Sequence, residues 1–287
     1  MRRKSLVLLA LGAMAGLCGC EAQTLDPFLY KRTRVDHYDF KAEGKSAADT
    51  VEPERIEPLE IKESDAITLG AVYVHANQSP PLGYVVYFHG QCCNLNEHID
   101  RAKMLSNVGY DVLAFDYRGW GTSTDVEPDE PGILEDSKAA LAYFVQRTGV
   151  PRERLTYYGR SFGCAVATQL AVSESPAVLV LESAFASIED FKTDSTRLDF
   201  PASYVSDSEW DNVARIEHVP SAVLLFHGTA VDFVRPEFSE KIYAHAHDPK
   251  KLVLVEGADH DTIPALMGDE WGKTLREWIR EHTPPVE

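Results

Sequence analysis

The stretch Leu155-Thr156-Tyr157-Tyr158-Gly159-Arg160-Ser161-Phe162-Gly163-Cys164-Ala165-Val166 is the part of the 287-residue chain from which the rest is best read. Leu155 to Tyr158 is a short apolar and aromatic run, which predicts a buried strand. Phe162 to Ser173 is rich in small residues and predicts a helix. Between them, Gly159-Arg160-Ser161-Phe162-Gly163 fits G-x-S-x-G. That pattern alone describes a glycine turn as readily as a reactive site. Its position is what carries meaning: a serine in a sharp strand-to-helix turn is pushed out at the strand's C-terminal end, near the positive end of the helix dipole. Glycines two residues to either side allow the backbone segments to approach closely.

Working outward, short apolar runs alternate with helical patterns. Ile56 to Ile61 and Ile67 to His75 predict two strands joined by a turn at Ser64-Asp65. Tyr84 to Phe88 is a continuous apolar run after the break at Pro80-Pro81. Asn96 to Asn107 reads as helix, Val112 to Phe115 as strand, and Pro131 to Arg147 as helix with proline in its first turn. Ala177 to Leu181, Val223 to Phe226 and Leu252 to Val255 predict three further strands. Asp261 to Glu281 predicts one closing helix with Trp271 and Trp278 on a single face. Buried runs of this length separated by helices are the signature of a mostly parallel sheet covered on both faces, an α/β fold.

A serine hydroxyl needs a base, and the base needs an orienting group. His260 follows the strand Leu252 to Val255 through Glu256-Gly257-Ala258-Asp259, so it falls at the same sheet edge as Ser161. Of the ten histidines, it is the one placed after a late buried strand. His75 lies on an early strand, and His245 and His247 end a polar helix. Asp232 follows the strand Val223 to Phe226 and is the favoured acid, accepting the Nδ1 proton and fixing the tautomer. Glu182, after the strand Ala177 to Leu181, is the rival. Asp259 and Asp261 flank the histidine too closely in sequence to orient its ring.

From about Ile56 to Trp278 the chain resembles the small α/β hydrolases grouped as BEM46-like or serine aminopeptidase-like. The matching segments are Phe88-His89-Gly90, Asp116 to Ser123, Gly159 to Gly163, Glu182-Ser183-Ala184-Phe185, Phe226-His227-Gly228-Thr229 and Gly257-Ala258-Asp259-His260. The order serine, acid, histidine is that family's order. The resemblance implies the α/β-hydrolase fold with a short cap. It also implies an oxyanion hole made by the backbone N–H groups of Gln91 and Phe162, with His89 as a brace for the loop. Three departures stand out. Cys92-Cys93 and Cys164 occupy positions where the family has small residues, so a disulfide from Cys164 to Cys92 or Cys93 is one possibility and buried thiols are the other. The loop before Asp232 is one residue longer than usual, which keeps Glu182 open. Phe191 to Val219 allows only a small cap, so the site is expected to be relatively open.

The N-terminus carries a different kind of information. Arg2, Arg3 and Lys4 precede the apolar stretch Leu6 to Leu17, the layout of a secretory signal. Leu17-Cys18-Gly19-Cys20 resembles a bacterial lipobox with Cys20 as the lipidated residue. Residues 1–20 are therefore read as a lipoprotein signal peptide, 21–54 as a polar tether and 55–287 as the hydrolase domain. The protein is expected to be exported and held at the cell-envelope membrane by its N-terminal lipid. The formal charge of −17 becomes more negative once the three basic residues are removed. That argues against nucleic acid as a partner.

Together these readings predict acyl transfer to water on an ester-like or lipid-like small substrate, through an acyl-enzyme on Ser161. A peptidase of the serine aminopeptidase type and a catalytically silent ligand-binding lipoprotein are the alternatives. No metal or organic cofactor is implied. The chain has no P-loop, no G-x-G-x-x-G after a strand and no zinc-type Cys/His spacing.

Overall fold

Tyr73, Val86, Phe88, Tyr157 and Leu179 face one side of a central sheet, while Val72, Val85, Tyr87, Tyr158 and Val180 face the other. This two-residue alternation gives the sheet two apolar faces, and each must be covered. The computed structural model describes residues 29–190, 208–231 and 233–285. Its strands are β1 (Ile56–Lys62), β2 (Thr68–Val74), β3 (Gly83–Phe88), β4 (Tyr110–Phe115), β5 (Thr156–Arg160), β6 (Val178–Glu182), β7 (Ala222–Gly228) and β8 (Lys250–Val255). They form one eight-stranded sheet in the order β1-β2-β4-β3-β5-β6-β7-β8. β1 and β2 pair antiparallel with Ile61 opposite Leu69, and β2 pairs antiparallel with β4; every other pairing is parallel. This is the α/β-hydrolase fold.

Helix α1 (Leu95–Asn107) covers one face, helped later by the C-terminal helices. Helices α2 (Glu130–Thr148) and α3 (Phe162–Ser173) cover the other. α1 begins with a capping box in which Asn94 and Glu97 satisfy each other's backbone N–H groups. α2 starts at the Asp129 cap with proline in its first turn and stops at Gly149, whose φ is +69°. The later helices are α4 (Asn212–Ile216), α5 (Pro236–His245), α6 (Ile263–Met267) and α7 (Asp269–His282). The single closing helix expected from the sequence is thus two. Gly268 at φ +56° breaks it, and Trp271 of α7 is buried with Trp278 packed beside it.

Topology then places the site. After β3 the chain passes to β4 on one side and returns to β5 on the other. The C-terminal ends of β3 and β5 therefore flank a crevice where the winding reverses, with Phe88 in register with Gly159.

The segment from residue 29 onward behaves differently from the tether its polarity suggests. Leu29 and Tyr30 are buried in the core. The Tyr30 ring meets Phe162 and Trp120 edge-on at 5.9 and 6.3 Å, and its hydroxyl accepts the Trp210 Nε1–H at 3.1 Å. Further along, Tyr38 donates to Asp116 at 2.6 Å, and the buried Lys103 ammonium donates to the carbonyls of Lys41 and Glu43. Aromatic residues scattered through a charged stretch pin it across the domain. Among the described residues, no helix is long and apolar enough to cross a membrane.

Candidate active site

β5 runs straight into the G-x-S-x-G turn. Ser161 sits at φ +54° and ψ −119°, a strained conformation costing roughly 1–3 kcal/mol for a non-glycine residue. The surrounding packing holds it there. A Cβ on Gly163 would lie 2.0 Å from the Phe88 carbonyl oxygen, and one on Gly159 would lie 2.5 Å from the Gly163 oxygen. Both glycines are therefore required by close approach. The Ser161 N–H donates to the Glu182 carbonyl at 2.9 Å, fixing the turn to β6. Phe162 is the first residue of α3, and an N–H at that position has no partner within its own helix.

The loop after β3 faces this turn. A Cβ on Gly90 would lie 3.6 Å from the Ser161 Cβ. Three consecutive carbonyls of the loop are held by side chains. His89 Nδ1 donates to Gly90 O at 2.7 Å, Trp120 Nε1 donates to Gln91 O at 3.1 Å, and His98 Nε2 donates to Cys92 O at 2.7 Å. The Gly90–Gln91 peptide is trans, so with its carbonyl held by His89 the Gln91 N–H points the opposite way. The Asp116 carboxylate lies next to His89, with Oδ1 3.1 Å from Nε2. The other Asp116 oxygen accepts Tyr38 OH and the Leu95 N–H. His89 braces the loop, as the resemblance implied. Trp120, His98 and Tyr38 were not singled out by sequence reasoning, because side chain to carbonyl bonds leave no spacing pattern.

His260 lies in the loop between β8 and α6. The loop organises itself through Asp259, whose Oδ1 accepts the N–H groups of Asp261 and Thr262 and the Thr262 hydroxyl. It is tied to the end of β7 by Ala230 N–H donating to Ala258 O and by Gly257 N–H donating to Thr229 Oγ1. On the nucleophile side, Arg160 Nη2 donates to the His260 carbonyl at 3.2 Å and to Asp261 Oδ1. The imidazole lies tilted against Phe233, with centroids 4.8 Å apart. Burial, then the Arg160 cation, push its pKa down to about 3, with His227 and Arg101 adding to the effect and Asp259 opposing it. The ring is thus neutral at pH 7, as a proton acceptor must be. Its Nδ1 is buried and has no hydrogen-bond partner among the described residues.

Asp232 and Cys20 lie outside the described residues, as does the 191–207 part of the expected cap. The neighbours of Asp232 are described. Phe233 touches the His260 ring, and Val234 O accepts a hydrogen bond from His227 Nε2 at 2.8 Å. Glu182, the rival acid, is committed elsewhere. It is fully buried, accepts Arg101 Nη2 at 2.7 Å and the Tyr158 hydroxyl, and lies 3.5 Å from Arg160 Nε. Among the described residues, Cys92, Cys93 and Cys164 are all free. Cys164 is buried with its thiol directed at the Gly159 and Glu182 carbonyls, while Cys92 is exposed, so the disulfide considered from sequence is not formed. Burial, and a hydrogen bond with Cys92, push the Cys93 thiol up to about 12. His75 pairs with Glu57 far along the sheet, and His245 and His247 contact backbone carbonyls at the surface.

The family model described as "Serine aminopeptidase, S33" matches residues 79–198. An uncharacterised protein of Mycobacterium tuberculosis is 30% identical over 221 residues, 77% of this chain and 78% of its own length. Protein bem46 of Schizosaccharomyces pombe is 28% identical over 271 residues, covering 89% of this chain and 88% of that one. This chain belongs to the BEM46-like α/β hydrolases. Among solved structures, the BEM46-like chain superposes on an esterase of Pyrococcus furiosus with a TM-score of 0.65, at 18% identity over 86% of this chain and all of the other. An acylaminoacyl peptidase of Pyrococcus horikoshii gives 0.65 at 14% identity, over 81% of this chain and 42% of that one. At such identities, what the BEM46-like chain shares with either enzyme is the fold.

Proposed function

We propose that this BEM46-like hydrolase is a serine hydrolase that cleaves an ester or related acyl bond. Ser161 is the nucleophile, His260 the general base and Asp232 the acid that receives the Nδ1 proton. The observation that carries the reading is the strained Ser161 turn set against the Gly90–Gln91 peptide, with a neutral imidazole loop docked beside it. His260 takes the hydroxyl proton as Ser161 Oγ attacks the carbonyl carbon. The oxyanion is received by the N–H groups of Gln91 and Phe162, and collapse expels the leaving group with the proton from His260. Water then repeats the sequence on the acyl-enzyme, releasing acid and regenerating Ser161.

Two features support Asp232 over Glu182. His260 Nδ1 is a buried polar atom in need of an acceptor, and Phe233, the next residue in the chain, already touches the ring. Glu182 is occupied by Arg101, Tyr158 and Arg160. Cys20 is proposed as the lipidated N-terminus that holds the domain at the cell-envelope membrane of a bacterium, and the substrate as a small or lipid-like acyl compound.

The deciding experiment is fluorophosphonate labelling of the wild-type protein beside Ser161→Ala, with p-nitrophenyl esters of increasing chain length. Labelling confined to the wild type is expected, with the ester series defining the acyl pocket. Absence of labelling on a folded wild-type protein would turn the reading toward a ligand-binding lipoprotein. The matched family's description names a peptidase, so amino-acid p-nitroanilides belong in the same assay. Mass analysis of the mature N-terminus, with Cys20→Ala as control, tests the anchor.

A further inference from the structure

We propose that Arg160 is a positioning residue that docks the His260 loop onto the nucleophile turn, using the buried Glu182 carboxylate as its anchor. This rests on the serine-hydrolase reading above. Arg160 immediately precedes Ser161, so whatever its guanidinium holds is held in register with the nucleophile. It holds the base: Nη2 donates both to the carbonyl of His260 itself and to Asp261 Oδ1. Among the described residues, these are the hydrogen bonds that join the His260 loop to the nucleophile turn. The loop's remaining ties run within itself and to Thr229 and Ala230 at the end of β7.

The anchor is rigid. Glu182 lies at the end of β6 with no solvent exposure, and β6 pairs in register with β5 so that Arg160 stands opposite Glu182. Arg101 from α1 and Tyr158 from β5 also bind this carboxylate. The guanidinium therefore lies with Nε 3.5 Å from a buried carboxylate, an ion pair without a hydrogen bond, and reaches the base's backbone with Nη2. A planar fork can bridge two partners at set angles, which the point charge of a lysine cannot reproduce. Stability alone is a poor reason for the arrangement. Asp261 is 77% exposed, and an ion pair to so exposed a carboxylate contributes little.

The same cation acts on the base's protonation. Arg160 from β5, Arg101 from α1 and His227 from β7 oppose a proton on the imidazole, and Asp259 in its own loop favours one. Asp261 and Glu182 flank Arg160, and the Phe233 ring covers one side of the imidazole.

The test compares Arg160→Lys, Arg160→Gln and Asp261→Ala with the full wild-type chain. It follows thermal unfolding, fluorophosphonate labelling rate, and kcat and KM for a p-nitrophenyl ester across pH. Arg160→Lys retains charge and loses the fork. Its kcat should fall about 10- to 100-fold, the scale of a misplaced catalytic group, with KM changed less than about threefold and the acid limb unmoved. Arg160→Gln should lose at least as much, and its acid limb should move to higher pH because a cation facing the imidazole has gone. Asp261→Ala removes only an exposed partner, so it folds even if the buried variants do not. Its kcat should fall about three- to tenfold. A labelled wild type with normal kcat and pH profile in folded Arg160→Lys, or in Asp261→Ala where neither Arg160 variant folds, overturns the docking role alone. An unlabelled wild type overturns the serine-hydrolase reading itself, and the docking role with it.

Discussion

The two loops that meet the Arg160-Ser161 turn are built on opposite principles. The loop after β3 runs from buried His89 and Gly90 to exposed Cys92, and its carbonyls at Gly90, Gln91 and Cys92 are each taken by a buried side chain. Those side chains are backed in turn by Asp116, Tyr38 and a cluster of aromatic rings around His89, Tyr117 and Trp120. The loop after β8 is largely exposed, folds on its own Asp259, and reaches the nucleophile turn through one arginine. On the proposed serine-hydrolase reading, the contrast follows from the two chemical roles. Donors that receive a developing oxyanion act best when they cannot reorient, whereas a base that shuttles a proton only needs to be returned to the same place.

The sharpest way to break this comparison is to free the Gly90 carbonyl. His89→Ala removes the donor that fixes the Gly90–Gln91 peptide plane. The expected loss is about 100- to 1000-fold in kcat, the effect of an oxyanion donor, with KM little changed. Melting temperature should fall too, since the buried Gly90 carbonyl would lose its donor. Measuring kcat, KM and thermal unfolding together checks it; unchanged kcat would mean that the peptide is held by other means.

The pH dependence sharpens the contrast further. Burial lowers the pKa of His98 and of His227, and burial with Arg160 lowers that of His260. A depressed histidine pKa means that the unfolded chain binds the proton first. Stability is therefore complete above about pH 6.5 and lost as pH falls toward the folded pKa, by up to about 1.4 kcal/mol per pH unit for each such group. Melts between pH 8 and pH 5 should show this decline. His98→Asn should flatten it, because one buried acid-sensitive group, the α1 histidine that braces the loop after β3, is removed. A flat profile in the wild type would contradict the burial of these rings.

How much of this could be read in advance differs between the same two loops. The placement of Ser161 between its glycines in a strand-to-helix turn, and of His260 in a post-strand loop, was legible because both leave marks in residue type and spacing. The alternation of apolar runs likewise announced the sheet. The bracing was hidden: Trp120, His98 and Tyr38 act through side-chain contacts that leave no spacing pattern, and only the folded chain brings them together. The polar composition of residues 29–54 also misled, since Tyr30, Tyr38 and Lys103 tie that segment to the domain through ring packing and hydrogen bonds between residues far apart in sequence. The break at Gly268 fell inside an otherwise continuous helical pattern, where a lone glycine is usually tolerated.

The smallest effect is the most discriminating, because it separates positioning from stability. Asp259 is exposed, and its Oδ1 gathers the N–H groups of Asp261 and Thr262 with the Thr262 hydroxyl into one turn around His260. Asp259→Ala leaves no buried group unpaired, since water can take over every one of those donors. Thermal unfolding should therefore shift by less than about 2 °C. The turn itself loses its internal tie, so the imidazole samples a wider arc and kcat should fall about two- to fivefold. The pH profile should shift slightly as well, its acid limb moving down because a carboxylate that favours the imidazolium has gone. A variant that lost several degrees of melting temperature with full activity would reverse the comparison. It would make the histidine loop a structural element and leave its placement beside Ser161 to the arginine alone.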